Sequence, residues 1–171
     1  MRKHKGFSLI ELLIVVAIIL IIAAIAIPNL MRSRIAANDA AGAANVRTLN
    51  TGEVTYTTTY PTIGYVSLYS LGTGGATGCP TAATSTGACL IDSNLGCSGN
   101  ANCVKDAYKY TITVEASSQD YVIGASPVST TGADRDYCSV PDAVIHFQPD
   151  TNTPPTAPIS ADTSCVGLSS L

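Results

Sequence analysis

The chain has no tryptophan, two phenylalanines and two histidines, and only 12% of its 171 residues are charged. It contains no Cys-x-x-Cys pair, no zinc-type spacing of Cys with His, and no Gly-x-Ser-x-Gly turn. The usual grounds for a structural zinc site or a serine-hydrolase elbow are therefore missing. One histidine lies beyond the first five residues, His146, and a lone His with scattered Ser and Asp is no triad. It reads as an ordinary strand residue, and the expectation is a protein without catalytic residues, cofactor or metal. Asp92-Ser93-Asn94 has a faint likeness to a calcium loop but lacks its glycine and distal glutamate. There is no Asn-x-Ser/Thr glycan acceptor.

Positive charge is also scarce. The formal net charge is −3, and three of the nine cations (Arg2, Lys3 and Lys5) stand in the first five residues. Without them six cations face twelve acids, too acidic a balance for a general nucleic-acid footprint. No specific nucleic-acid partner is expected. The length allows one modest core plus an extended element, not two cores. Mean hydropathy is positive, +0.29, but that value belongs to one segment. The first thirty residues are mostly Leu, Ile, Val and Ala, and the remainder is rich in Thr, Ser, Gly and Ala.

Residues 1–6 are short, basic and polar. Residues 7–30 are almost wholly apolar, broken by Ser8, Glu11, Pro28 and Asn29. Twenty-four helical residues span roughly 36 Å, enough for a bilayer core of about 30 Å. The preceding cations favour a cytoplasmic start, which puts the chain beyond residue 30 outside the cytoplasm. An ordinary secretory signal is the rival reading, with Ala23, Ala24 and Ala26 near a cleavage pattern. Such a signal gives no reason for Glu11, whose carboxylate costs a few kcal/mol in an apolar helix.

The run Gly6-Phe7-Ser8-Leu9-Ile10-Glu11-Leu12-Leu13-Ile14-Val15-Val16 resembles the class III signal of type IV prepilins and the related pseudopilins. The resemblance implies cleavage between Gly6 and Phe7 by a membrane-bound prepilin peptidase, then N-methylation of Phe7. It also implies an assembly role for Glu11, whose carboxylate would pair with the cationic amine of Phe7 in its own or a neighbouring subunit. In a medium of low dielectric constant that attraction is strong. A carboxylate reaching out to the headgroups is the simpler alternative. Pro28 removes one helical hydrogen bond and crowds the carbonyl of Ala24, so a kink or melted turn near residues 20–28 is expected. Pilins of this kind carry a proline at the same offset. Pro28 with Asn29 also suits a plain membrane exit.

From residue 31 to about 60 the chain stays helix-compatible and turns amphipathic, with Ile35, Val46, Leu49, Tyr56 and Tyr60 near helical spacing. Arg32, Arg34, Asn38, Asp39, Asn45, Arg47 and Asn50 supply the wet face. Gly42 and Gly52 weaken the helix by about 1 kcal/mol each, and Pro61 stops it. Tyr56, Tyr60, Tyr65 and Tyr69 suit packing better than an electron path. Period-two alternation marks a strand at 108–114, followed by strands at 121–125 and 143–148. Laid as a meander over the helix, they predict an α+β head.

The six cysteines, Cys79, Cys89, Cys97, Cys103, Cys138 and Cys165, all lie in the polar part, which favours disulfides in an exported head. Six cysteines allow 15 connectivities, and proximity favours 79 with 89, 97 with 103, and 138 with 165. The last pair matches the C-terminal loop of many pilins.

These readings give a leader at 1–6, a transmembrane and filament-core helix at 7–30, and its amphipathic half at 31–60. The head occupies 61–171, with a variable loop at 61–107, a sheet at 108–148 and a C-terminal loop at 149–171. The expected fold is α+β: a long N-terminal helix, its hydrophobic half protruding, on a small antiparallel sheet with disulfide-tethered loops. The resemblance implies a homo-oligomeric helical filament, held in the inner membrane before assembly and extracellular afterwards. Its partners would be the prepilin peptidase, the inner-membrane assembly platform and its ATPases. The filament would serve adhesion, motility or DNA uptake. A type II secretion pseudopilin and a non-polymerising, membrane-anchored periplasmic binding module are the other readings.

Overall fold

The computed structural model describes residues 7–75, 79, 82–96, 103–150 and 157–171. The chain divides into two compact units, Met1–Arg34 and Ile35–Leu171.

In the first unit the described chain is helical from Leu9, where α1 (Leu9–Thr59) begins. The run is dense in Ile and Val, whose branched side chains gain little from a helix in water. A helix is nevertheless the one local structure that satisfies every backbone group of a single apolar segment away from water. The large apolar side chains of this segment are bare, from 46% exposed at Val16 to 85% at Phe7. An 18-residue window has mean hydropathy 3.3 and no buried residue, so length and composition suffice to cross a membrane. Of the kink or melted turn expected near residues 20–28, the melted turn is absent: α1 continues as helix through Pro28. A proline removes a single intrahelical bond, and the long helical run on either side absorbs that loss.

In the second unit, residues 35–59 of α1 bury Asp39, Gly42, Ala43, Val46, Leu49, Asn50, Gly52, Glu53 and Tyr56, at steps of three and four. This face packs on a six-stranded antiparallel sheet whose spatial order follows the chain, β1 to β6. Its strands are β1 (Cys103–Lys105), β2 (Tyr108–Val114), β3 (Tyr121–Pro127), β4 (Arg135–Ser139), β5 (Ile145–Pro149) and β6 (Ser169–Ser170). The core joins Val46, Leu49 and Tyr56 to Tyr108, Tyr110, Tyr121, Ile123, Tyr137 and Ile145. Two short helices, α2 (Leu68–Leu71) and α3 (Asp162–Val166), lie outside the sheet. Leu71 of α2, with Ile91 and Leu95 from the following loop, joins the same core.

The opposite face of the sheet is covered too. Val122, Cys138 and Val140 pack with Cys165, Ile159 and Leu168 of the C-terminal segment. All seven residues of β3 are consequently buried. Gly124 is required there, because a Cβ at that position would collide with the carbonyl oxygen of Ile159. Cys138–Cys165 ties the segment down, and β6 extends it onto β5, pairing His146 with Ser170. The tail is therefore a cover over one face as well as an edge strand.

The meander is twice as long as the three strands that alternation marked. β4 separates β3 from β5; both of its neighbours are strands and both sheet faces are covered, so four of its five residues are buried and no alternation shows. β1 and β6 are too short, at three and two residues, to carry a period. Two residues expected on the wet face of the helix, Asp39 and Asn50, are instead 8% and 5% exposed. Tyrosine hydroxyls explain both: Tyr108 donates to Asp39 Oδ1 at 2.7 Å, and Tyr121 to Asn50 Oδ1 at 2.9 Å. Gly42 is no mere weak point either. A Cβ there would stand 2.7 Å from the Tyr108 ring, so its absence lets helix and sheet approach.

Candidate functional site

Ser8 precedes the first helical residue, and Leu12 donates to its carbonyl at 3.3 Å, the opening bond of the helix. Three residues on, Glu11 folds back and its Oε2 accepts the backbone N–H of Ser8 at 2.9 Å. This is one half of a capping box, in which a carboxylate at the third helical position satisfies an N–H left over at the helix start. A carboxylate also suits the positive end of the helix dipole. The Ser-x-x-Glu spacing of such a box is plain in the sequence, where it overlaps the cleavage motif. Phe7 stands next to this cap, 85% exposed. Gly6 lies outside the described residues. Pro28 sits inside the same bare apolar helix as Glu11.

Within the head, Cys79–Cys89 and Cys138–Cys165 are bonded. Cys103 is disulfide-bonded as well, and Cys97 lies outside the described residues. The two observed pairings are those that proximity favoured.

The other candidate groups are engaged structurally. The carboxylate of Asp92 takes Lys105 Nζ at 2.7 Å on Oδ2 and the N–H groups of Asn94 and Leu95 on Oδ1. The lysine holds that carboxyl below its usual range against the effect of burial, together with the two backbone donors. No cluster of three or more metal-type ligands occurs among the described residues. His146 is 8% exposed, with Nδ1 3.1 Å from the carbonyl of Leu168. Tyr56 and Tyr60 stack with centroids 4.8 Å apart, and Tyr65 meets Tyr121 edge-on at 4.5 Å. These are contacts within the core and its rim.

Two buried acids on α1 went unnoticed in the sequence as core groups. Burial raises the carboxyl of Asp39 above its usual range, while the Tyr108 hydroxyl works the other way. Burial pushes the phenol of Tyr108 up strongly, and its bond to Asp39 adds to this. Glu53 has no exposed surface. Its Oε2 accepts the N–H of Val66 at 3.2 Å, and Oε1 is buried without a partner. Burial raises this carboxyl to about 8. An acid within a helical pattern looks solvent-facing in sequence, and only the loop that folds over it shows otherwise.

The prokaryotic N-terminal methylation motif matches residues 1–27. Over 39 residues the chain is 67% identical to the type IV wide pilus major component PilA4 of Thermus thermophilus. That stretch covers 23% of this chain and 30% of the relative. No solved structure matches the chain. The N-terminal segment thus carries a prokaryotic N-terminal methylation motif on a bare apolar helix, and over those 39 residues it is similar to a type IV pilus component.

Proposed function

We propose that the chain is a structural subunit of a type IV pilus, cut between Gly6 and Phe7, N-methylated at Phe7, and polymerised through its N-terminal helix. The observation that carries this reading is the helix itself. From Phe7 to Met31 its large apolar side chains are uncovered, and a single carboxylate, Glu11, interrupts them near the start. Lipid can cover such a surface before assembly, and like helices can cover it afterwards. Cleavage would create a cationic amine one residue before the Ser8 N–H that Glu11 now holds. That amine competes for the carboxylate with a full charge in place of a partial one, whether it belongs to the same subunit or to a neighbour.

The remaining partners follow from this role: the prepilin peptidase, an inner-membrane platform with its ATPases, and other copies of the chain. The subunit waits in the inner membrane as a single-pass protein and ends in an extracellular filament. The name of the Thermus relative, a wide-pilus major component, supports a pilus over a secretion pseudopilin. The disulfide-tethered head suits a surface outside the cell. Adhesion, motility or DNA uptake would be exercised by the filament, not by any catalytic group of the subunit.

Mass spectrometry of the N-terminal peptide in material sheared from intact cells tests the reading. A peptide beginning at N-methyl-Phe7 in that fraction is the expected result. The same peptide confined to the cell envelope would move the assignment to a pseudopilin. An intact Met1, or a start near residue 27, would overturn it. Glu11→Ala should leave the protein in the membrane and abolish filaments. Unchanged filament yield would remove the assembly role of Glu11.

A further inference from the structure

The head contains an acid that packing of its core does not need. Glu53 is fully buried on α1, one position beyond Gly52, which faces Ile91 and Leu71. An ionised carboxylate offers about four lone-pair sites, and this one has a single donor, the N–H of Val66. The other oxygen, Oε1, meets no partner. Among the described residues no cation acts on Glu53, whose carboxyl feels only its burial and the Val66 N–H. A charge in such a place is costly unless water reaches it.

The surroundings determine which element can yield. On one side Glu53 is part of a 51-residue helix. On another stands Tyr121 of β3, a strand paired along seven positions with β2. The third cover is the segment 60–67, which carries Val66. Its two ends are tied, Tyr60 N–H to the carbonyl of Tyr56 and the carbonyl of Ser67 to the N–H groups of Ser70 and Leu71. Between them the backbone is held by three bonds: Ile63 N–H to Tyr60, Tyr65 N–H to Ser118, and Val66 N–H to Glu53 itself. Gly64 takes φ +84° where the chain passes the carbonyl of Ser118. This segment is the weakest wall.

We infer that Glu53 is a proton-operated latch: as the neutral acid it holds segment 60–67 against α1, and on losing its proton it favours an opened segment that lets water in. The inference concerns the head alone and does not rest on the filament reading.

The titratable groups that feel its charge are the phenols of Tyr56 on α1 and Tyr121 on β3. Both are pushed upward, chiefly by burial, and stay neutral through the neutral range. Tyr60 stacks on Tyr56, and Tyr65 on Tyr121, from the segment itself. Asp120 and Asp142 act on Tyr121 from beyond it. No group in this set can neutralise the carboxylate.

Linkage gives the sign of the effect. The carboxyl rises from its ordinary 4.5 in the open state to about 8 when closed. Below about 4.5 it is neutral in both states and the latch has its full strength. Between those values opening grows about tenfold per pH unit, and above about 8 it levels off.

Full-length protein in detergent micelles serves for the test. Amide exchange of peptides covering residues 60–70 is measured from pH 5 to pH 9 and corrected for the intrinsic rates. The expected result is protection that falls about tenfold per pH unit up to about 8, with peptides of β3 unchanged. Glu53→Gln keeps the shape and an acceptor for Val66, and should make that profile flat. A profile in Glu53→Gln that matches the parent would overturn the latch. Should the variant fail to fold, infrared titration of the parent decides. A buried carboxylic-acid band that persists to neutral pH is expected, and complete ionisation by pH 6 would overturn it.

Discussion

The two halves of α1 differ in a way that hydropathy alone would misjudge. Residues 7–31 form its most apolar part, with a window of mean hydropathy 3.3, and yet that window buries nothing. Residues 35–59 contain two glycines, Asp39, Asn50 and Glu53, and all of these are buried, beside Ala43, Val46, Leu49 and Tyr56. Burial within the head follows shape and hydrogen-bond partners: Gly42 admits the Tyr108 ring, and Asp39 and Asn50 receive tyrosine hydroxyls. Large aliphatic side chains with no complementary partner in the chain stay bare. Under the proposed function, that bare half is reserved for lipid and for other subunits.

One residue type tests this contrast directly. Leu49 has no exposed surface and Leu20 is 63% exposed. Leu49→Ala should cost the head about 3 kcal/mol, within the usual 2–5 for a buried leucine, read as a lowered melting temperature of full-length protein in detergent. Leu20→Ala should leave that temperature unchanged and act, if anywhere, on filament yield. Equal losses from both would break the distinction between the two halves.

A second contrast lies between the two faces of the sheet. The face under α1 is held by a large core, whereas the face under the C-terminal segment has a small cluster and one covalent tie. Replacing Cys138 and Cys165 together by Ser should cost about 3 kcal/mol, since the bridge closes a loop of 27 residues. Gly124→Ala acts on the same face and should cost roughly 1–3 kcal/mol. The atom it meets is the backbone oxygen of Ile159, which cannot swing aside as a side chain can. Denaturant unfolding under oxidising conditions measures both. A neutral Gly124→Ala would mean that the segment is loosely laid and contributes little.

These particulars also show what the sequence makes legible. The cleavage motif, the apolar helix, the stop before Pro61 and strands β2, β3 and β5 rest on local signals: a spacing, a run, or a period of two. β4 gives no period because both its edges pair with strands and both its faces meet protein. β1 has three residues and β6 has two, and they exist only because a neighbouring strand is there to pair with. Asp39, Asn50 and Glu53 lie within a helical pattern whose polar positions look wet. Their burial depends on Tyr108, Tyr121 and Val66, which are 69, 71 and 13 residues away. At the candidate site the position of Glu11 is legible, and so is its Ser-x-x-Glu spacing. The cap it forms requires knowing that the helix begins at Leu9.

The smallest expected effect concerns a turn with an unusual residue. β1 and β2 are joined by Asp106 and Ala107, with Lys105 paired to Tyr108. Both turn residues have positive φ, +51° and +67°. A two-residue hairpin loop with two such angles is a type I′ turn, which favours Asn-Gly or Asp-Gly. Asp106 tolerates the left-handed region and also receives Asn45 Nδ2 at 3.0 Å, which ties the turn to α1. Ala107 has only the steric cost, about 1 kcal/mol. Glycine removes that cost but increases the entropy of the unfolded chain, which returns part of the gain. Ala107→Gly should therefore stabilise the head by about 0.5 kcal/mol, seen as a rise of roughly 2 °C in melting temperature. Filament yield should not change, because the turn belongs to the head and not to the bare half of the helix. A fall in melting temperature would show that the Ala107 methyl, which lies beside Gly132, gives more through packing than its backbone angle takes away.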